Sequence, residues 1–211
     1  MSSNTMSKYN DQYYLAFNQC NEDGNILFLQ MTDESFNRDP CWVKLNDGEQ
    51  PLFLEDSCQE IDIQPTKAHM NLQSLVVSND IYLDLVDFDI KNFQLYPTVI
   101  IDRNEKYHEG YWFFNTYADL PALDLDKSDI HDLDLTSELH YLQRISLSDE
   151  ILDAIPEEER LIFPIAGSDM GHIAFHQKIV DVFNKHKVKT IKFIKISEWE
   201  EGWEFDALTF K

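Results

Sequence analysis

Between Phe93 and Ser128 the chain carries two strongly apolar runs, Leu95–Ile101 and Tyr111–Phe114, joined by the polar segment DRNEKYHEG. Short runs rich in β-branched and aromatic residues, bounded by turn residues, read as buried strands. Their order predicts an antiparallel hairpin with a longish loop. Both runs are apolar on both faces, so other elements have to cover both sides. Upstream, Tyr13–Phe17 and Ile26–Leu29 read as strands, with Asp23-Gly24 marking a hairpin turn between them. A polar, proline-marked region follows from Thr32 to Lys44, and then two short strands at Pro51–Leu54 and Ile61–Ile63. Tyr141–Leu147 and Leu161–Ile165 read as further strands, the latter turning through GSDMG into His172–Phe175.

The pattern also repeats. Ser74–Leu95 lies without a gap on His172–Phe193 at a constant offset. Leu75, Val77, Ile81, Leu85, Ile90, Phe93 and Leu95 then meet Ile173, Phe175, Ile179, Phe183, Val188, Ile191 and Phe193. Each copy predicts a strand, a helix of about three turns and a second strand, with Ser78 as N-cap of the first helix. A weaker echo, Leu147–Phe163, has Ser148 capping a short helix that Pro156 stops. The expected class is α+β: mostly antiparallel sheets, a few short helices and two similar strand–helix–strand units. Residues 1–70 read as a strand-rich N-terminal region, and residues 71–211 as an α+β domain built round the central hairpin.

Composition narrows the function. With 43% hydrophobic and 13% aromatic residues a substantial core can form. The formal net charge of −22 argues against direct nucleic-acid or anionic-membrane binding and suits a basic protein partner. Cys20, Cys41 and Cys58, odd in number and widely spaced, form neither a disulfide framework nor a zinc site. The N-terminal segment has no apolar core of a signal peptide, and no run is long enough to span a membrane, which predicts a cytoplasmic location.

No stretch displays a catalytic set. Asp124-x-Asp126-x-Ser128 opens like a calcium loop, but Asp129 and Leu135 stand where that loop needs a glycine and a glutamate. His108-Glu109 lacks the second histidine of a zinc-protease helix, and His172 with His176 lacks a third ligand. Gly167-Ser168-Asp169-Met170-Gly171 is not a nucleophile elbow. No cofactor and no metal are therefore expected. Six lysines between Lys178 and Lys195 read as a solvated face. The aspartates Asp124, Asp126, Asp129, Asp132 and Asp134, together with Glu157, Glu158 and Glu159, are candidate contacts for a basic partner.

The segments LVVSNDIYLDL, FQLYPTVI, YWFFNTYADLPALDLDKS, ISLSDEIL, RLIFPIAG and HIAFHQKIVDVF resemble a bacterial family first catalogued as a domain of unknown function and later placed among the immunity proteins of polymorphic toxin systems. The resemblance covers about residues 74–196. Tyr111…Asn115 and Leu123-Asp124…Ser128 correspond to paired motifs of that family. Lys189-Thr190 and Phe163-Pro164 depart from its pattern. It implies an α+β protein that silences a cognate toxin by direct contact. An enzyme with a carboxylate-based site, Asp124 and Asp126 serving as acid and base, and an acidic nucleic-acid mimic are the alternatives.

Overall fold

The computed structural model describes residues 6–20, 24–57, 62–71, 74–131 and 136–203. The protein is mixed α+β with sheets rich in antiparallel pairs. The predicted central hairpin is β6 (Phe93–Ile101) with β7 (Tyr107–Thr116), paired from Phe93↔Thr116 to Ile101↔Tyr107 around one irregularity. It lies in the middle of a six-stranded sheet. On one side come β3 (Leu52–Asp56), parallel to β6, and then β2 (Leu29–Met31). On the other come β5 (Ser74–Ser78) and β4 (Ala68–Asn71). A four-stranded sheet runs β10 (Ile162–Pro164), β11 (Ile173–His176), β1 (Tyr13–Asn18), β12 (Ile191–Lys195), all antiparallel. The pair β8 (Asp129–His131) and β9 (Tyr141–Arg144) stands apart from both sheets.

Among the described residues the strands are joined by the short α-helices α1 (Asp33–Phe36), α2 (Asn79–Leu85), α3 (Asp149–Asp153) and α4 (Gln177–Lys185). Ser148 caps α3 by accepting the Ile151 N–H at 3.4 Å, as its position predicts. Ser78 holds the N-cap position of α2 but makes no side-chain capping bond. His176 caps α4, its Nδ1 accepting the Lys178 N–H at 3.2 Å.

The two repeated segments fold alike. In each, a strand, a helix and a second strand form a crossover whose strands are parallel but separated by an intervening antiparallel strand. That strand is β7 between β5 and β6, and β1 between β11 and β12. The hairpins β4–β5 and β10–β11 add matching outer strands. All seven matched apolar pairs fall in one shared core, formed by α2, α4 and the facing sides of the two sheets. Phe114 sits at its centre, with ring centroids 5.1 Å from Phe93, 6.2 Å from Phe183 and 6.5 Å from Phe175. Asp84 on α2 ties the helices together: its Oδ2 lies 2.7 Å from Lys185 Nζ and 2.6 Å from His186 Nε2. Those bonds hold the Asp84 carboxyl below the usual carboxylate range.

Alternate residues of each sheet face outward into two further clusters. Tyr13, Leu15, Phe163 and Ala174 pack with Leu142, Leu147, Leu152 and Trp199 on the far side of the small sheet. Tyr96, Ile100, Phe113 and Leu54 pack with Leu27, Leu45 and Ile63 on the far side of the large one. The order across the molecule is therefore cover, sheet, shared core, sheet, cover. This is why both runs of the central hairpin are apolar on both faces.

The N-terminal strands depart from the sequence pattern. Tyr13–Phe17 and Ile26–Leu29 do not form a hairpin through Asp23-Gly24. β1 pairs with β11 and β12 in one sheet, and β2, which begins only at Leu29, pairs with β3 in the other. Asp23 lies outside the described residues. A local turn signal lost to long-range pairing because β1 is buried on both faces and needs neighbours on both edges. Asp62 and Ile63 are not in a strand, and Ile61 lies outside the described residues. Ile63 instead plugs the outer core of the large sheet. Of Tyr141–Leu147 only Tyr141–Arg144 forms a strand, and Leu147 makes an isolated bridge to Leu123.

The loop of the central hairpin is organised by Asp102, which is 4% exposed. Its carboxylate accepts His108 Nε2 at 2.9 Å and the N–H groups of Asn104 and Lys106 at 2.9 and 3.0 Å. The His108 bond first, and then the two amides, hold its pKa down at about 2. A folded-state pKa below the unfolded value of about 3.9 makes the stabilisation present above that value and lost as pH falls from about 4 to about 2. Asp102→Asn is expected to lower stability at neutral pH and to flatten the acid limb. Urea titrations of both proteins at steps from pH 5 to 2 should show the gap between them closing. A constant gap would remove Asp102 as a source of acid lability.

Candidate functional site

The segment that carries Asp124, Asp126 and Asp129 lies on the cover of the small sheet, anchored there by Leu123 and Ile130. Asp124 is half-buried and paired with Lys127 at 2.9 Å, while Asp126 and Asp129 are exposed. Asp132 and Asp134 lie outside the described residues. Glu157, Glu158 and Glu159 open a 3₁₀ turn, Glu157–Arg160. Glu157 Oε1 is 2.5 Å from Lys178 Nζ and Glu159 Oε2 is 3.4 Å from Lys91 Nζ, which leaves Glu158 exposed. Much of this acidity is thus answered locally. Lys178 and Lys185, part of the lysine-rich stretch, are the residues that answer Glu157 and Asp84.

A second surface was not singled out by the sequence and lies on the opposite cover, beyond the large sheet. The loop that follows α1 turns one side inward. Pro40 and Leu45 are buried, and Leu45 and Cys41 pack into the outer core of that sheet. Its other side points to solvent: Trp42 is 77% exposed, Phe36 65% and Val43 46%. A tryptophan this open needs a reason, since large exposed apolar side chains cluster at interaction sites.

The display is held rigidly by two amide side chains from the central hairpin. Gln94 and Asn115 are register partners on β6 and β7. Asn115 is wholly buried. Its Oδ1 accepts the Cys41 N–H at 2.6 Å, and its Nδ2 donates to the Val43 carbonyl at 2.9 Å. Gln94 repeats the arrangement one step on, accepting the Leu45 N–H at 3.1 Å and donating to the Leu45 carbonyl at 3.0 Å. Asn115 Nδ2 also donates to Gln94 Oε1 at 3.2 Å, which fixes the orientation of both amides. The two side chains act as a surrogate strand, reading loop backbone on either side of Trp42.

Arg38 closes the base. It donates to the Gln50 carbonyl at 2.7 Å, to Glu49 at 3.0 Å and to the Tyr96 hydroxyl at 2.7 Å, and stacks over the Tyr96 ring. Two non-glycine residues of the loop, Asp39 and Cys41, have φ of 53° and 72°. Each costs on the order of 1 kcal/mol or more, strain of the kind that concentrates at functional loops. Burial pushes the Cys41 thiol up to about 11, so it is a packing residue and not a reactive one. Asp33, Glu34, Asp39, Asp47 and Glu49 are exposed around the apolar patch, against Lys44 and the already engaged Arg38.

Among the described residues no three His, Cys, Asp or Glu side chains converge as a ligand set for a metal ion. No helix among them is long and apolar enough to cross a membrane. The chain matches no protein-family model and no curated protein. Whatever function the immunity resemblance implies therefore rests on residues 74–196 of this sequence and on the physical character of its surfaces.

Proposed function

We propose that this protein is an immunity-type binding protein that neutralises a cognate basic toxin by direct contact. The observation that carries the reading is Trp42, held out at 77% exposure by the buried Asn115–Gln94 clamp within an acid-rimmed loop. Apolar aromatic anchors surrounded by charge supply affinity at the centre and steering at the rim. Asn115 gives that clamp a link to the resemblance, because it is the asparagine of the corresponding motif.

The test is co-expression with the product of the adjacent gene. Growth arrest by that product alone, relieved by this chain, is the expected outcome. A harmless neighbour, or one still toxic in its presence, sinks the immunity reading. The two covers are told apart by kinetics. With the toxin's net positive charge, association should slow steeply as salt passes roughly 0.1 M, where the Debye length is about 10 Å. Asp126→Asn, Asp129→Asn and Glu158→Gln together are expected to leave the off-rate unchanged whichever cover docks. They should cut the on-rate severalfold only if the partner docks on the side of the small sheet, away from the Trp42 cover.

A further inference from the structure

The small sheet is split, and the split opens a pocket of about 340 Å³. β1 and β11 pair only at Tyr13↔His176 and Tyr14↔Phe175. Beyond that point β1 stays with β12 as far as Asn18↔Ile191, while β11 stays with β10 as far as Pro164↔Ile173. Leu15, Ala16 and Phe17 line one wall of the resulting fork, and Gly171, His172 and Ile173 line the other.

The backbone of both walls is aimed into the gap. Ile196 N–H donates to the Tyr13 carbonyl at 2.9 Å and Gln19 N–H to the Thr190 carbonyl at 2.9 Å. Odd-numbered residues of β1 therefore bond toward β12, and the N–H and C=O of Ala16 face the fork. On β11, His176 N–H donates to the Leu161 carbonyl and the His172 carbonyl accepts Ile165 N–H, each at 2.8 Å. The N–H and C=O of Ile173 consequently face the fork as well. The register that pairs Tyr14 with Phe175 would pair Ala16 with Ile173 next, and that pair is not made.

Trp199, itself 3% exposed, also lines the pocket, and its Nε1 is buried without a hydrogen-bond partner among the described residues. An orphan donor of this kind is destabilising unless something accepts from it. His172 packs edge-on to Trp199 at 4.9 Å, and its Nδ1 is taken by Ser168 Oγ at 2.8 Å. Burial lowers the His172 pKa to about 4, so the ring is neutral at physiological pH. Of the side chains lining the pocket, Glu201 then brings the one formal charge.

We propose that this fork binds a short extended apolar peptide segment carrying a basic residue, inserted between β1 and β11 as the missing strand. Ladder bonds to Ala16 and Ile173 and an amide carbonyl for Trp199 supply the polar contacts. Alternate side chains enter the apolar walls, and Glu201 at the mouth selects the positive charge. The site lies within the small sheet, away from the Trp42 loop on the large one, and does not depend on the immunity reading.

The probe is the peptide acetyl-Lys-Val-Thr-Val-amide, followed by calorimetry and by the indole N–H resonance of Trp199, assigned through Trp199→Phe. Saturable binding that shifts this resonance is expected. Methylating the Thr-Val amide nitrogen removes a ladder donor and keeps the apolar surface, and should weaken binding at least about tenfold. Replacing the lysine with glutamate should weaken it as well. The proposal is overturned if neither this peptide nor its isoleucine and phenylalanine analogues bind. It is equally overturned if the N-methylated peptide binds as tightly as the parent, because the pocket would then be only a greasy cavity. Should Trp199→Phe fail to fold, the methylation arm decides alone.

Discussion

Phe114→Ala is expected to destabilise the protein by about 3–5 kcal/mol and to lower the melting temperature by roughly 10 °C. Phe114 is 1% exposed and is contributed by the central strand of the large sheet. Its ring meets Phe183 of α4 and Phe175 of β11, which belong to the other repeat. Removing it opens a cavity between the repeats and not within one of them. Both should lose stability together, in a single transition followed equally by tryptophan fluorescence and far-UV dichroism. Two separated transitions would show that the repeats have independent cores, contrary to the shared cluster that all fourteen matched apolar residues occupy.

Trp42→Ala should have the largest effect on partner binding and almost none on folding. An exposed side chain contributes little to stability, so the change is expected to stay within about 0.5 kcal/mol. As a central anchor its truncation should weaken the complex by about 2–4 kcal/mol, on the order of 30- to 1,000-fold in Kd. The loss should appear mainly in the off-rate, measured by surface plasmon resonance against the cognate toxin. Asn115→Ala separates anchor from frame. It leaves Trp42 in place but frees the loop, so affinity should fall through lost preorganisation while stability falls by about 1–3 kcal/mol from orphaned buried groups. If Trp42→Ala binds like the parent, the docking face is the opposite cover, and the on-rate of the Asp126, Asp129 and Glu158 variant shows it.

The parts legible in the sequence are those whose partners lie nearby or whose periodicity is strong. The central hairpin follows from two apolar runs and a loop. The repeat follows from seven ungapped apolar matches, because each one fills the same shared core. The N-terminal hairpin failed for the converse reason. Asp23-Gly24 is a genuine local preference, but Tyr14 finds Phe175 and Lys195 as its partners, and no local signal carries that information. The Trp42 loop reads in the sequence only as polar and proline-marked. One clue was present: Gln94 and Asn115 interrupt otherwise apolar, doubly buried strands. Amides in such positions need hydrogen-bond partners from elsewhere in the chain, and here the partners are the loop backbone itself. The acidic contacts were read from charge density alone, which cannot show that Asp124, Glu157 and Glu159 already have lysines of their own.

The intervening strands of the two crossovers also differ in when they become available. On a ribosome, β7 emerges directly after β6, so the large sheet can close while synthesis continues. β1 emerges long before the residues that flank it, Phe175 and Ile191–Lys195. At about 5–20 residues per second, Tyr13 to Asn18 wait many seconds as an apolar strand with no edge to join. Through that interval the nascent chain exposes Tyr13, Leu15 and Phe17 to chaperones and to other unfinished copies. Crowded or fast expression should therefore aggregate the protein through this strand, even though the finished molecule buries Tyr13 and Leu15 fully.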